Sequence, residues 1–230
     1  MKFYGIQKLT LLDYPGNLAC TLFTGGCNFR CPFCHNALLV TELDENYVID
    51  EEEVLAFLEK RKGRLDGVCV TGGEPLINKN IGDFLEKVKA LGFKIKLDTN
   101  GTNPALLKNL VSRGLVDYAA MDIKHSPEKY AATVGLEKLD MSQIEESVAF
   151  LLSDAVDYEF RTTVTRQFHS VEDIEKAALF IKGAKRYFLQ SFVDSGNLIG
   201  SGITGVEKEE MEKMQSAAQK YVPDTRLRGI

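Results

Sequence analysis

The run Leu18-Ala19-Cys20-Thr21-Leu22-Phe23-Thr24-Gly25-Gly26-Cys27-Asn28-Phe29-Arg30-Cys31-Pro32-Phe33-Cys34-His35 joins a β-prone segment to three cysteines through a Gly-Gly break. Leu18 to Thr24 reads as a short strand. The cysteines follow at once, at C-x3-C-x2-C spacing. Thiolates are soft ligands that hold iron–sulfur clusters or zinc. Here they sit at the C-terminal end of a strand. In parallel α/β folds that end carries the active site, and a purely structural metal has no reason to prefer it.

Outward from this run, strands and helices alternate. Asp50-Glu51-Glu52-Glu53 opens a helix through Val54, Leu55 and Leu58, with acidic residues where the helix N-terminus favours them. Val68-Cys69-Val70 is a second strand and runs into Thr71-Gly72-Gly73-Glu74-Pro75. Ile81, Phe84, Leu85, Val88 and Leu91 share one helical face, ended by Gly92. Phe93 to Leu97 predicts a third strand, and Asn103 caps a helix over Pro104 to Val111. Val116 to Ile123 predicts a fourth strand, followed by a helix at Ile144, Val148, Leu151 and Leu152. Tyr158 to Val164 is a fifth. Ile174, Ala177, Ala178 and Ile181 mark a helix stopped at Gly183, and Tyr187 to Phe192 is a sixth strand. An amphipathic segment runs from about Val206 to Tyr221.

Six strands alternating with helices predict parallel βαβ units. Eight such units would close a barrel of about 250 residues. Six within 230 residues predict a partial (β/α)6 TIM-like barrel, with a doubly wound open sheet as the competing arrangement. No linker or repeat divides the chain. A single domain over residues 1–230 is expected, with its core over about 9–192 and a C-terminal amphipathic helix over about 206–221.

Composition narrows the classes. Hydrophobic residues make up 44% and charged residues 27%, ordinary globular usage. Acidic residues outnumber basic ones 33 to 28, for a net charge of −5. That argues against a general nucleic-acid binder, whose affinity comes from phosphate neutralisation. No apolar run reaches the ~18 residues of a membrane span. Met1-Lys2-Phe3-Tyr4-Gly5 lacks an apolar signal core, so a cytoplasmic address is expected.

Five cysteines, an odd number, do not suggest a disulfide framework. Cys20 and Cys69 lie in apolar runs and read as small core residues. Cys27, Cys31 and Cys34 are three ligands, whereas a structural zinc site takes four. His35 is a formal fourth, but adjacent residues rarely turn toward one ion. A cubane with three protein thiolates leaves one iron open to an exogenous ligand. A zinc knuckle or unliganded thiols are the bland alternatives. Gly72-Gly73 is by itself an ordinary strand-ending turn, and Asn100-Gly101 is a turn signal. His169, in Gln167-Phe168-His169-Ser170, reads as a loop or cap residue.

Taken together, the cysteine cluster after strand one and Gly-Gly-Glu-Pro after strand two resemble the radical S-adenosylmethionine (SAM) superfamily. Leu97-Asp98-Thr99-Asn100-Gly101 and Met121-Asp122-Ile123-Lys124-His125 resemble its glycyl-radical-enzyme activases. Leu12-Asp13-Tyr14-Pro15-Gly16, leading to Phe23-Thr24-Gly25-Gly26-Cys27-Asn28, resembles the activating proteins of anaerobic ribonucleoside-triphosphate reductase. Phe160-Arg161-Thr162-Thr163-Val164 and Tyr187-Phe188-Leu189-Gln190 fit the same subgroup. The resemblance covers about Leu9 to Phe192. It departs from the pyruvate-formate-lyase activases after strand six, where Phe192-Val193-Asp194 lacks their histidine. With no second cysteine set, an auxiliary cluster is not expected.

The resemblance implies an oxidoreductase. Cys27, Cys31 and Cys34 would hold a [4Fe–4S] cluster whose fourth iron is chelated by SAM. The reduced cluster would split SAM to methionine and a 5′-deoxyadenosyl radical, which takes a hydrogen atom from a backbone glycine. Gly72, Gly73 and Glu74 would meet the methionyl amine, and Phe33 and His35 the adenine. Asp98, Thr99 and Asp122 would lie near the sulfonium and carboxylate, where a monovalent cation can also sit. Lys124, with Arg161 as a second candidate, would meet the SAM carboxylate. The implied partners are a glycyl radical enzyme, here anaerobic ribonucleotide reductase, and a flavodoxin- or ferredoxin-type electron donor. An anaerobic setting follows, because one iron lacks a thiolate shield. A radical SAM enzyme acting on a small molecule and a zinc-binding module without turnover are the competing functions.

Overall fold

Side chains alternate between the two faces of a strand, so each strand here divides its residues between a helical outer layer and the inside of a curved sheet. The computed structural model describes residues 1–230. In chain order it contains β1 (Lys2–Thr10), β2 (Ala19–Thr24), α1 (Leu38–Thr41), β3 (Ile49–Asp50), α2 (Glu51–Glu59), β4 (Gly67–Gly72), α3 (Ile81–Ala90) and β5 (Lys94–Thr99). There follow α4 (Pro104–Ser112), β6 (Tyr118–Asp122), α5 (Tyr130–Thr133), α6 (Met141–Leu152), β7 (Asp157–Val164), α7 (Val171–Phe180), β8 (Tyr187–Ser191), α8 (Lys208–Gln219) and β9 (Thr225–Arg228).

One sheet holds all nine strands, in the order β3-β1-β2-β4-β5-β6-β7-β8-β9. From β2 to β9 each neighbouring pair is parallel. A doubly wound sheet reverses its strand order at a switch point; the parallel series from β2 to β9 never does. Its two edges do not pair, so the architecture is a partial barrel open along one side. No helix is long and apolar enough to cross a membrane.

The six expected strands are present, with ends shifted by a few residues, and three more flank them. β1 pairs antiparallel with β2 and briefly with β3. Only Phe3 and Thr10 of β1 are buried, so its sequence carries no clear alternation. β9 extends the parallel series past β8 through four residues, of which only Thr225 is buried.

The outer layer follows helical periodicity. Ile81, Phe84, Leu85 and Val88 of α3, Leu107 and Leu110 of α4, and Ile144, Val148 and Leu151 of α6 bury against Val68, Val70, Ile95 and Leu97 in one apolar core. The inner face is different. Thr21 registers with Cys69, Cys69 with Lys96, Asp98 with Ala120, and Asp122 with Arg161. Cys20 joins the apolar core as expected. Cys69 does not: it is fully buried on the inner face, with its Sγ 3.8 Å from both Lys96 Nζ and Asp98 Oδ1. At the N-terminal end of the strands, Tyr14 packs on Tyr118 over Ala19 and Ala120, and Asp13 accepts a 2.5 Å hydrogen bond from Thr21. The inside is therefore plugged at that end, and the strand C-termini face the remaining space.

Candidate active site

The thiol loop is shaped by backbone bonds. Gly26, at φ 81°, donates to the Leu39 carbonyl at 2.7 Å and accepts from Glu74 N at 2.8 Å. Arg30 N donates to the Val134 carbonyl at 2.9 Å. The Arg30 guanidinium closes the loop on the carbonyls of Cys27 (2.6 Å) and Phe29 (2.8 Å). Three free thiols result. Cys31 is 7% exposed, and Cys27 and Cys34 are half-buried. Burial pushes all three thiols up, Cys31 to about 12, against the pull of the nearby Lys124 ammonium. A metal that replaces the protons removes that conflict, because thiolate is the ligand form.

No set of three or more His, Cys, Asp or Glu side chains converges as a single ion requires. Zn–S bonds of about 2.3 Å would draw three sulfurs within about 4 Å of each other. In a cubane each thiolate binds its own iron, so three thiols that line one cavity without converging on a single point fit it better. His35 is not drawn toward the thiols. Its ring stacks on Phe192, with centroids 5.1 Å apart and planes at 13°. Phe192 stands in the stretch where the pyruvate-formate-lyase activases have their histidine. Phe33 is 3% exposed and packs on Phe168 and His169.

Gly72 and Gly73 bring the β4 end against the thiol loop. Gly72 has φ 114°, a conformation open to glycine. A Cβ on Gly73 would lie 1.8 Å from the Gly26 carbonyl oxygen. Glu74, only 1% exposed, ties this corner to β5. It accepts hydrogen bonds from Leu76 N (3.0 Å), Thr99 Oγ1 (2.8 Å) and Asn100 N (2.6 Å). Burial nonetheless pushes its carboxyl up to about 7, from an ordinary 4.5. The folded state then binds a proton that the unfolded chain releases between about pH 4.5 and 7. Stability from this group is therefore full below pH 4.5 and falls as pH rises through 7, by about 3 kcal/mol. Denaturant unfolding of the metal-free protein across pH 4.5–7 should show that loss when Glu74→Gln is subtracted from wild type. A pH-independent difference would show that Glu74 is ionised throughout.

An ion network spans β5, β6 and β7. Arg161 donates through Nε to Asp122 Oδ1 and through Nη1 to Asp98 Oδ2, each at 3.0 Å. Lys124 Nζ donates to Asp122 Oδ2 at 2.9 Å, and Lys96, 1% exposed, pairs with Asp98 Oδ1. Burial opposes every charge here, but the partners win. Arg161 and Lys96 hold the Asp98 carboxyl below its ordinary range, and Arg161 and Lys124 do the same for Asp122. Asp122 in turn holds the Lys124 ammonium protonated. His169 is indeed a loop residue, but a buried one. It donates to the Lys124 carbonyl at 2.9 Å, accepts from Thr165 N at 3.1 Å and stacks on His125. It thereby fixes the backbone that carries Lys124.

All thirteen residues singled out from the sequence line one cavity of about 380 Å3: Cys27, Cys31, Phe33, Cys34, His35, Gly72, Gly73, Glu74, Asp98, Thr99, Asp122, Lys124 and Arg161. Small-molecule sites span roughly 300–1,000 Å3. The structure adds residues that sequence reasoning missed. Asn36 donates to the Gly72 carbonyl at 2.9 Å, and Asn100 bonds Asn28 at 2.8 Å beside the Cys27 sulfur. Gln190 and Thr163 also line the cavity. Polar residues at alternate positions near a strand's C-terminal end were the available signal for these two.

Known proteins resemble this chain in sequence and in fold. The profile of the radical SAM superfamily matches residues 21–181. A candidate glycyl-radical enzyme activating enzyme of Methanocaldococcus jannaschii is 29% identical over 233 residues, covering 98% of this chain and 95% of that one. A 7-carboxy-7-deazaguanine synthase of Koribacter versatilis is 31% identical over 162 residues, covering 67% of this chain and 64% of that one. Among solved structures, Streptococcus suis SuiB bound to SAM superposes with a TM-score of 0.69 at 14% identity. The match covers 91% of this chain and 52% of SuiB, so this chain spans about half of that protein. A domain of the pyruvate-formate lyase-activating enzyme of Bacteroides vulgatus gives 0.57 at 15% identity, with 71% of this chain and 99% of that one covered. At such identities the superpositions bear on the fold alone.

Proposed function

The chain belongs to the radical SAM superfamily, and from that premise we infer that it is a glycyl-radical-enzyme activase whose partner is anaerobic ribonucleoside-triphosphate reductase. The observation that carries this reading is the likeness to a candidate activase over 98% of the chain. The Leu12-Asp13-Tyr14-Pro15-Gly16 opening supports the choice of reductase. An open barrel side gives a peptide loop room to approach. A backbone glycine suits the reaction, because its α-radical is delocalised over two flanking amides.

Cys27, Cys31 and Cys34 would hold the [4Fe–4S] cluster. Gly72, Gly73 and Glu74 would receive the methionyl amine of SAM, Lys124 and Arg161 its carboxylate, and Phe33 and His35 its adenine. When bound, the cluster would supply one-electron cleavage of the SAM sulfonium, with a flavodoxin- or ferredoxin-type protein as donor. The remaining work is done by side chains. Three cations, Lys96, Arg161 and Lys124, face two anions, Asp98 and Asp122, leaving one positive charge for an incoming carboxylate. Glu74, its neighbours already donating to it, offers an acceptor to an amine. Phe29, Phe33 and Val40 line the wall with apolar surface and limit water.

Anaerobic incubation of cluster-loaded protein, SAM, reductant and the reductase should give an electron paramagnetic resonance signal of a glycyl radical on the reductase. SAM cleavage without that signal on any glycyl radical enzyme defeats the activase assignment. The likeness to a 7-carboxy-7-deazaguanine synthase over 67% of the chain favours a second reading, a small-molecule substrate. SAM turnover that a small molecule stimulates and a protein substrate does not would select it.

A further inference from the structure

Asp98, Thr99 and Asp122 are the residues that resemblance offers to a monovalent cation. The protein has already filled them. Asp98 accepts from Lys96 on Oδ1 and from Arg161 on Oδ2, and Asp122 accepts from Arg161 on Oδ1 and from Lys124 on Oδ2. The Thr99 hydroxyl donates to Glu74 at 2.8 Å and accepts from Gly101 N at 3.1 Å. A hard cation binds through several oxygens at once, and no carboxylate oxygen here is unpaired.

Strand register explains how one guanidinium spans both acids. Arg161 on β7 is the direct register partner of Asp122 on β6. Asp98 on β5 lies two strands away from it, a distance of about 9.6 Å at ordinary strand spacing. The intervening β6 position, in register with Asp98, is Ala120, whose small side chain leaves the path clear for the long arginine. Charge leads to the same conclusion. The network already carries three cations against two anions, and Glu159 next to it is matched by Arg228 at 2.8 and 2.9 Å. A metal cation would raise the excess to two, and like charges held this close repel. A SAM carboxylate would bring it to zero. Arg161 lines the cavity and its Nη2 makes no hydrogen bond within the protein, so a donor remains for that carboxylate.

We propose that Arg161 takes the place of the monovalent cation, so that SAM binds this chain without K+ or Na+. The proposal rests on SAM binding and not on the activase reading; its test reads affinity, and glycyl radical formation plays no part in it. SAM affinity of the cluster-loaded protein is measured by equilibrium dialysis with tetramethylammonium, Na+ or K+ as the sole monovalent cation, at a matched ionic strength of about 0.1 M. A coupled cation shifts affinity by about 5- to 150-fold. The wild type should shift by less than the lower bound; a larger shift overturns the proposal. Arg161→Met frees one oxygen on each carboxylate and removes the excess charge. In that variant SAM affinity should become dependent on Na+ or K+ by at least about fivefold. The sodium NMR line should also broaden with the variant before SAM is added, and not with wild type. A variant that shows neither response overturns the proposal as well. Should Arg161→Met fail to fold, Arg161→Gln serves, because it keeps a polar group at this strand position, removes the charge and is too short to bridge both acids.

Discussion

Cys31→Ala protein, reconstituted with iron and sulfide under anaerobic conditions, should contain no cubane and cleave no SAM, yet unfold as cooperatively as wild type. Wild type should take up about four irons and four sulfides per chain. The complete loss follows from the ligand count: two thiolates cannot replace three, and His35 is occupied in its stack on Phe192. Survival of the fold follows from what anchors the loop. Gly26 N to the Leu39 carbonyl (2.7 Å), Arg30 N to Val134 (2.9 Å) and Gly200 N to the Pro32 carbonyl (2.8 Å) are backbone bonds that do not involve the sulfur. Removing one buried Sγ costs about 1 kcal/mol. In a chain of this size that lowers Tm by about 2–4 °C. A variant that still holds a full cluster would remove Cys31 from the ligand set. A variant that no longer unfolds cooperatively would show that the loop is part of the core. Wild type that takes up one equivalent of zinc and no sulfide would favour the zinc-binding module.

What could be read from the sequence was local. Cys27, Cys31 and Cys34 are close in sequence and follow a strand. Asp98 and Asp122 also stand at strand ends, where a polar residue after an apolar run is conspicuous. The alternation of strand and helix placed these ends on one side of the sheet, and that is enough to gather thirteen residues into one cavity. What could not be read depends on register and on edges. Arg161 in a strand needs a partner, but that its partners are two carboxylates on two other strands follows only from the pairing of Asp122 with Arg161 and of Asp98 with Ala120. Cys69 sits between Val68 and Val70, yet the alternation turns it inward beside a lysine. β1 and β9 lie toward the open edges and bury few residues, so the hydrophobic pattern that marks a strand is nearly absent from them.

Gly73→Ala tests the corner where the β4 end meets the thiol loop, and its effect should far exceed that of an ordinary glycine substitution. The added methyl would fall 1.8 Å from the Gly26 carbonyl oxygen and 2.7 Å from its carbon. These are backbone atoms, so no rotamer change relieves the clash. One side must move, and two hydrogen bonds sit in the way: Gly73 N to the Thr24 carbonyl at 2.9 Å and Glu74 N to the Gly26 carbonyl at 2.8 Å. Overpacking of about 1–3 kcal/mol and two bonds at about 1 kcal/mol each suggest a loss of about 3–4 kcal/mol in the metal-free protein. For a chain of this length Tm should fall by about 10 °C. Function should suffer more than stability. Gly26 precedes Cys27, and Glu74 follows Gly73, so the displacement reaches a thiol and the carboxylate together. A shift of about 1 Å in a reacting group can cost about 100-fold in rate, and SAM cleavage should fall by that order. Gly92→Ala is the control. Gly92 has φ +91° but no atom within 4 Å of its would-be Cβ. It carries only the left-handed backbone cost of about 1–2 kcal/mol and leaves the site untouched. If Gly73→Ala behaved like Gly92→Ala in both melting and SAM cleavage, the close approach of the two loops would not be a feature of the folded protein.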